Sequence, residues 1–400
     1  MKNVERNKSN GTDRRSFLKT GAVGAGAAAL GATLLPSTMA ALDYDSDSGP
    51  AITKGDIAIL TFLSALEQVE ADLWIQYAEL GGATNQGLSP IDLELNGRRI
   101  ETGLAPNYIT ALLALDGDMP QYIADNTDDE ISHHRFLNNF LAAVGGEPID
   151  LGPFAVLPPS RVTGVPQNHR LTNLQQLTVD TSWWTRYRSA AANPDLGGSF
   201  ENAVPDLARG QHPAIPRSDA DLTLNSDGTP TNHLQAIANT AGFHFAFIEQ
   251  GGTSLYPTLA QKVTNLTVLR VLLSIGASEV MHFQTWQDKA GNAPNISDGN
   301  LSFPNLNNGV DPNNGRSGSS IADLFQTNLI MPEPTIFLDR KFGPVSIIRP
   351  TSTAQSGAVA AVASFEQDGL FRDPATGRST GIVDVLMRLA EKADAAARRL

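Results

Sequence analysis

Two copies of the motif Glu-x-x-His, far apart in the chain, constrain its fold more than any other feature. The first copy places Glu130 three residues before His133, and the second places Glu279 three residues before His282. Residues three apart on an α-helix lie on one face, so each motif directs a carboxylate and an imidazole the same way. Two such motifs, each accompanied by a helix with an inward-facing glutamate, are the ligand set of a di-iron carboxylate site in a four-helix bundle.

A partial internal repeat supplies the two accompanying glutamates. Residues 66–74 and 248–256 both read apolar-Glu-Gln and then, at the same offset, Leu followed by an aromatic residue. Glu67 and Glu249 hold the same place in the two copies, and each copy precedes a Glu-x-x-His helix. Two helical hairpins related by a pseudo-twofold axis would therefore bring four glutamates and two histidines together.

The chemistry of these six side chains suits iron or manganese. Both metals favour oxygen and imidazole ligands. Carboxylates that bridge two cations screen their repulsion, and four glutamates balance the charge of two divalent ions. Buried on apolar helix faces, the same glutamates would be costly without a cation or a proton. We therefore predict a site for two Fe or Mn ions with these ligands: Glu67, Glu130, His133, Glu249, Glu279 and His282.

One ligand has a rival, and two nearby histidines are expected to have other roles. Glu70 shares much of the apolar face of Glu67 and is the alternative to it, although Gly252 holds the matching place in the repeat. His134 lies one residue off the face of its motif, so we expect it to be structural or exposed. We expect His244 to pack near the site or support its ligands rather than to bind metal.

The N-terminus has the features of a targeting segment. Residues 13–19, Asp-Arg-Arg-Ser-Phe-Leu-Lys, match the twin-arginine export consensus, and a Gly/Ala-rich apolar stretch follows them. We expect residues 1–40 to be a cleaved twin-arginine signal peptide, with an uncleaved N-terminal anchor as the alternative. The twin-arginine translocase would then be a partner during export to the periplasm or the extracellular space. No other run is expected to span a bilayer, so no stable membrane anchor is expected.

Composition excludes several classes of cofactor and partner. The chain has no cysteine, which excludes disulfides, iron–sulfur clusters and thiolate zinc sites. We expect no nucleotide and no haem either. The leader carries six basic and two acidic residues, so its removal takes the net charge from −13 to −17. Such an acidic protein is a poor candidate for binding nucleic acid or anionic lipid.

Helical periodicity and glycine signals place the bundle within residues 53–291. Its four long helices are expected at about 56–80, 120–144, 231–256 and 265–290. Asp56 is the expected N-cap of the first helix, and Pro120 suits the first turn of the second. A shorter helical stretch at about 108–115 lies between these two helices.

Two segments lie outside the regular bundle. A proline-punctuated insertion with short helices is expected at about 147–230, held on the bundle by three aromatic residues: Trp183, Trp184 and Tyr187. Residues 292–400 are expected to form an irregular C-terminal extension. Within it, residues 321–372 contain short strand-like pieces, and a closing helix is expected at about 381–400.

The bundle segments resemble the ferritin-like superfamily over residues of about 53–82, 119–146 and 231–291. Residues 66–71, Leu-Glu-Gln-Val-Glu-Ala, and 129–137, Asp-Glu-Ile-Ser-His-His-Arg-Phe-Leu, are similar to the subfamily of plant desiccation-related proteins and its exported bacterial relatives. The resemblance implies a mainly α fold, an antiparallel four-helix bundle with a long crossover after its second helix, and metal ligands at the same six positions. It does not cover the insertion or the extension, so it specifies no substrate.

The sequence leaves two functions open. An exported di-metal carboxylate oxidoreductase would act on dioxygen, peroxide or Fe(II). Thr253, one turn after Glu249, resembles the pocket threonine of some di-iron monooxygenases, and Gly251 and Gly252 beside it either open space for a ligand or allow close helix packing. The alternative is a non-enzymatic stress-protective, desiccation-protective or envelope structural protein on the same scaffold. The substrate, the redox partner and the formation of a homo-oligomer stay open.

Overall fold

The computed structural model describes residues 50–83, 93–95, 97–188, 200–306, 331–348 and 357–399. The expected signal peptide lies outside these residues. The helices are, in chain order, α1 (Lys54–Gly81), α2 (Pro106–Leu112), α3 (Met119–Ala143), α4 (Trp183–Arg186), α5 (Pro205–Arg209), α6 (Asn232–Ala260), α7 (Leu266–Ala290), α8 (Ala358–Asp368) and α9 (Ile382–Asp394). The strands form three antiparallel pairs: β1 (Glu94–Leu95) with β2 (Arg98–Arg99), β3 (Ser297–Asp298) with β4 (Leu301–Ser302), and β5 (Thr335–Ile336) with β6 (Pro344–Val345).

The four long helices α1, α3, α6 and α7 form the expected antiparallel bundle, which confirms the mainly α fold class. Helix α1 packs along α3, and α6 packs along α7, so the bundle consists of two helical hairpins. The long crossover that joins them runs between the end of α3 and the start of α6. Trp74 of α1 stacks on Phe245 of α6 at 5.0 Å and on Trp286 of α7 at 5.2 Å between ring centroids, so one aromatic core joins both hairpins.

Helix α1 begins with a capping box, and the N-cap is Thr53 rather than the expected Asp56. The Thr53 hydroxyl accepts a bond from the Asp56 backbone N–H, while the Asp56 carboxylate accepts one from the Thr53 N–H at 2.8 Å. The same carboxylate accepts the backbone N–H of Thr264 at 2.8 Å, in the α6–α7 connection. Asp56 therefore serves two helix ends from the third position of α1, which explains why it resembles a cap in the sequence.

Helices α6 and α7 run close to their expected bounds. The Thr231 side chain caps α6, and the Asn265 side chain accepts two backbone N–H bonds at the start of α7. Helix α6 continues through Pro257 to Ala260, past the expected end at Tyr256. These caps satisfy N–H groups that have no partner inside the helix, and so they fix where each helix begins.

The described residues of the insertion, 147–188 and 200–230, form short helices and turns. The Trp183 ring contacts Phe243 of α6 and Phe283 of α7, each at 6.0 Å between centroids. Tyr187 contacts Phe283 at 5.7 Å. The insertion is thus held on the α6–α7 hairpin by aromatic contacts.

In the described part of the C-terminal extension, the strand-like pieces expected within residues 321–372 appear as β5 and β6. The same stretch also holds a helix that was not expected, α8. Helix α9 ends at Asp394, before the expected end at residue 400, and packs against both α8 and α1. The Asp394 carboxylate accepts the N–H groups of Ala358 and Val359, the first two residues of α8.

Helix α7 is long and apolar enough to cross a membrane by length and composition, alone among the described helices. No run beyond the leader was expected to be long and apolar enough to span a bilayer, and α7 differs from that expectation. Glu279 and His282 of this helix are buried against the other three bundle helices. Packing in the bundle accounts for part of its apolar character, since 44% of its most apolar stretch is buried.

Candidate metal centre

The four bundle helices direct all six predicted ligands into one buried region. Helices α1 and α6 contribute one glutamate each, and α3 and α7 each contribute the glutamate and histidine of one motif. The glutamates are at most 1% exposed, and the two histidines are 9% and 8% exposed. The helical period therefore places the motifs on the inner faces of the bundle.

The ligand atoms form two groups that share two glutamates. One group holds Glu67, Glu130, His133 and Glu279, and the other holds Glu130, Glu249, Glu279 and His282. Within each group, one ligand atom from every residue lies within 4.8 Å of the others. Glu130 and Glu279 belong to both groups, so their carboxylates are available to metal held in either one.

The Nδ1 atom of each imidazole faces the carboxylates. His133 Nδ1 lies 3.0 Å from Glu130, 3.4 Å from Glu279 and 3.5 Å from Glu67. His282 Nδ1 lies 3.1 Å from Glu130 and 3.2 Å from Glu249. The two rings are 6.2 Å apart between centroids. Both histidines thus present the same nitrogen to the centre of the cluster.

The Nε2 atom of each imidazole bonds to the residue that precedes the glutamate of the other motif. His133 Nε2 lies 3.0 Å from the Ser278 hydroxyl, and His282 Nε2 lies 2.9 Å from the Asp129 carboxylate. Such outer bonds fix the orientation and tautomer of a metal-binding imidazole. The crossing of these bonds between α3 and α7 follows the pseudo-twofold arrangement of the two motifs.

Three further side chains hold the carboxylates in place. The Asn126 amide donates to Glu130 at 3.0 Å and to Glu249 at 2.9 Å. The Trp286 indole N–H donates to the Asn126 carbonyl oxygen at 2.7 Å. On the opposite side, the Tyr256 hydroxyl donates to Glu67. Two of these bonds, from Asn126 to Glu249 and from Tyr256 to Glu67, cross between helices, whereas the bond from Asn126 to Glu130 lies within α3.

Burial and mutual repulsion make the negative cluster unfavourable without protons or cations. Burial, and then the charge of Glu279, raise the pKa of Glu130 to about 7. Burial, together with repulsion from Glu249 and Glu67, raises the pKa of Glu279 to about 8. Burial opposes protonation of His133, but the surrounding carboxylates outweigh it and raise the pKa of His133 far above its usual range. A proton or a metal cation would therefore be strongly stabilised by the carboxylates of this cluster.

The donor set fits metal ions of the iron and manganese type. Glu67 Oε2 and both carboxylate oxygens of Glu279 are buried with no hydrogen-bond partner among the residues that the structure describes. Orphaned buried oxygens of this kind carry a large desolvation cost unless a cation meets them. The donors are oxygen and imidazole nitrogen only, which matches the preference of these metals.

A family model for the ferritin-like domain matches residues 55–292, more than half of the chain. The chain belongs to the ferritin-like domain family. No curated protein and no solved structure matches it. The match begins in α1 and ends just beyond α7, so the ferritin-like domain includes all four helices of the cluster and the insertion between its hairpins.

Within the ferritin-like domain, the rival ligand lies outside both groups. The structure brings Glu67 into the cluster, whereas Glu70 lines a cavity beside it and keeps one buried carboxylate oxygen unbonded among the described residues. Burial, with repulsion from Glu130 and Glu279, raises the pKa of Glu70 well above its usual range. The alternative of Glu70 in place of Glu67 gains no support from this geometry.

The other residues singled out in the sequence have structural contacts. The Thr253 hydroxyl donates to the backbone oxygen of Glu279 at 3.1 Å, which ties α6 to α7, so its catalytic role stays a prediction. His244 is buried and lies 2.6 Å from the Tyr77 hydroxyl through Nδ1. Burial lowers the pKa of His244 to about 3, so the ring is neutral. His134 is half-buried and lines a separate cleft on α1 and α3.

The two adjacent glycines of α6 have different roles. A Cβ at Gly252 would overlap the Glu279 carboxylate, so this glycine allows close helix packing at the cluster. A Cβ at Gly251 would meet no atom within 4 Å, and Gly251 borders a cavity. Of the two interpretations of the glycine pair, close packing therefore applies to Gly252 and open space applies to Gly251.

That cavity has a volume of about 50 Å³ and lies between α1 and α6, under α8 of the extension. Its walls are mainly apolar, with Leu63, Ile248 and Phe365 among them. Glu67 and Tyr256, which meet at the metal cluster, also line it. An apolar space therefore leads to one edge of the cluster.

Proposed function

We propose that the protein is a di-metal carboxylate oxidoreductase that binds two Fe or Mn ions and acts on dioxygen. The observation that carries this proposal is the pair of ligand groups that share Glu130 and Glu279. A single buried acid has many structural explanations. Two overlapping groups of oxygen and imidazole donors, with orphaned oxygens at their centre, match a di-metal carboxylate site.

In this proposal each side chain of the cluster has a defined task. Glu67 and His133 would hold one ion, Glu249 and His282 would hold the other, and the shared Glu130 and Glu279 would contribute ligands to both. The ions would supply one-electron redox chemistry and Lewis acidity. Tyr256 orients Glu67 through its hydroxyl, and Asn126 orients Glu130 and Glu249 through its amide. The surrounding apolar helices keep bulk water out.

The apolar cavity favours dioxygen over the two other oxidants or substrates considered, peroxide and Fe(II). A hydrated cation would lose its water to enter an apolar space, which is costly. Peroxide needs hydrogen-bond partners, and these walls offer them only at a minority of side chains, Glu67, Glu70 and Tyr256 among them. Dioxygen is small, uncharged and apolar, and a space of about 50 Å³ accommodates it.

Elemental analysis of the protein purified after native export tests this function. We expect close to two Fe or Mn ions per chain, and Glu130→Gln and Glu279→Gln variants that lose both ions while staying folded. Glu391→Ala, which removes an exposed carboxylate on α9, is the control and keeps the metal. Dioxygen uptake on addition of a reductant should follow metal content. A stable wild type without metal would contradict the proposal and favour the non-enzymatic protective or structural role.

We also propose that the protein is exported to the periplasm or beyond as a member of the desiccation-related group. The supports are the paired Arg14 and Arg15 of the leader and the similarity of residues 66–71 and 129–137 to that group. Changing both arginines to lysine should hold the protein in the cytoplasm. Export of the variant at the wild-type level would contradict the twin-arginine route.

A further inference from the structure

The metal cluster is connected to a redox-active side chain through one short hydrogen-bonded link. Asn126 donates to two proposed ligands, Glu130 and Glu249, and accepts the indole N–H of Trp286 at 2.7 Å. Trp286 is only 1% exposed and lies in the aromatic core of the bundle. Tryptophan and tyrosine lose an electron more readily than most other side chains. A tryptophan in this position is therefore electronically close to the ligands without being one of them.

A second redox-active ring connects Trp286 to the surface. Tyr122 of α3 meets Trp286 edge-on, with 6.4 Å between ring centroids, and is half-buried rather than enclosed. Electron tunnelling weakens steeply with distance, so rings in contact are far better coupled than separated ones. Tyr122, Trp286 and Asn126 thus form a continuous path from the rim of the bundle to the carboxylates.

The path exists in only one half of the pseudo-twofold arrangement. Trp286 stands seven residues after Glu279, and the matching residue of the other motif is Leu137, which is equally buried. Asn126 stands four residues before Glu130, and its counterpart is Ile275. Because aliphatic residues fill the same positions in one half, packing of the bundle does not by itself require an indole and an amide in the other.

We propose that Tyr122, Trp286 and Asn126 form an electron-transfer route from a soluble one-electron donor to the metal cluster. This inference rests on the proposed function. In each electron transfer the donor loses one electron, and an oxidised metal ion at the cluster gains one. Trp286 supplies the electron through its bond to Asn126 and is re-reduced by Tyr122. Tyr122 releases its phenolic proton to water and regains a proton when the donor re-reduces it, so no covalent bond to carbon changes.

Laser-flash photolysis of the metal-free protein tests electron transfer between Tyr122 and Trp286 without the cluster's metal. The chain has no cysteine, so Asp118→Cys, one turn before Tyr122 on α3, gives a single attachment point for a ruthenium photo-oxidant. We expect a tryptophan radical after the flash, its loss in Trp286→Phe, and formation slowed by about tenfold in Tyr122→Phe. Trp183→Phe, which changes another buried indole, is the matched control and keeps the signal. A tryptophan radical that persists unchanged in Trp286→Phe overturns the route.

Oxidation mapping of the metal-loaded protein tests the connection to the cluster. With hydrogen peroxide and no reductant, we expect mass spectrometry to find oxidation at Trp286 and Tyr122 about tenfold above Trp183. Glu130→Gln, which removes the metal, should abolish this difference. Equal oxidation of Trp183 and Trp286 in a protein that holds two metal ions overturns the route alone. A wild type that binds no metal overturns the proposed function, and the assigned electron acceptor with it.

Discussion

Some side chains of the metal cluster are specified twice, once by their own helix and once by a partner on another helix. The helical period turns Glu67 inward, and the Tyr256 hydroxyl from α6 then holds its carboxylate. The period of α7 turns His282 inward, and Asp129 from α3 then fixes its ring. A change at a supporting residue should therefore alter metal binding without unfolding the bundle.

The adjacent glycines of α6 allow a matched comparison of this kind. In Gly252→Ala the new methyl group would displace the Glu279 carboxylate, and we expect metal affinity to fall by about 10- to 100-fold. In Gly251→Ala the methyl group meets open space, so metal should be retained. Both variants gain helix propensity, worth about 1 kcal/mol at Gly251. Competitive metal titration and urea unfolding check both; equal affinities would contradict the packing role of Gly252.

The lowered pKa of Asp221 predicts that the protein loses stability in acid. Burial would raise the pKa of Asp221, but bonds from the Arg217 side chain and backbone and from His233 outweigh it and hold the pKa at about 2. A carboxylate with a lowered folded pKa stabilises the protein above its ordinary pKa of 3.8, and this contribution fades as pH falls toward 2. Because Arg217 is partly exposed, we expect about 1 kcal/mol.

Urea unfolding of the wild type and Asp221→Asn between pH 6 and pH 2 measures this contribution. The difference in unfolding free energy between the two proteins should be constant above about pH 4 and shrink below it. A difference that stays constant down to pH 2 would show that the pKa of Asp221 is not lowered in the folded protein.

The six clustered residues could be predicted because each depends on the spacing within one helix. Tyr256 carried a partial signal, since it stands seven residues after Glu249 and matches Trp74 in the repeat. Asn126 and Trp286 carried none, because their roles depend on which helices become neighbours. Spacing along a helix gives the direction of a side chain but not what it meets across the bundle.

At the scale of whole elements, the caps of α1 offer a sharp test. Thr53→Ala removes the cap bond from the Asp56 N–H and the bond of the Thr53 hydroxyl to the Asp56 carboxylate, and should cost about 1 kcal/mol of unfolding free energy. Asp56→Ala also leaves the Thr264 N–H without its charged partner and should cost about 2 to 3 kcal/mol. Asp118→Ala is the control, because Asp118 starts α3 without a side-chain cap bond, and should change stability by less than about 0.5 kcal/mol. If urea unfolding shows that Asp56→Ala loses no more unfolding free energy than Thr53→Ala, the double role of Asp56 is contradicted.

An element could be predicted from the sequence when contacts within its own segment are enough to stabilise it. The long helices carry an apolar period and clear end signals, such as Gly81 and Gly82 after α1, and were placed within a few residues. Helix α8 was missed. Its first N–H groups are held by Asp394, some 35 residues later, and its face packs against α9. A short helix that depends on such distant contacts leaves little trace in its own sequence.

At the scale of the whole molecule, the cluster is where the two hairpins meet. Helices α1 and α3 supply three of its side chains, and α6 and α7 supply the other three. Bound ions would therefore join the hairpins, and a ligand that binds only the folded state stabilises it. Without ions, the buried carboxylates must take up protons or repel one another across the same boundary.

Removal of metal should therefore lower the stability of the entire domain rather than of one helix. At a free metal concentration a hundred times the dissociation constant, each site adds about 2.7 kcal/mol to the unfolding free energy. Calorimetry of the wild type with and without a chelator should show a single transition that moves to lower temperature when metal is removed. In Glu279→Gln, which removes a shared ligand, the two scans should coincide. A chelator-dependent shift of the same size in Glu279→Gln would show that the stabilising ions bind elsewhere, because this variant lacks the carboxylate common to both ligand groups.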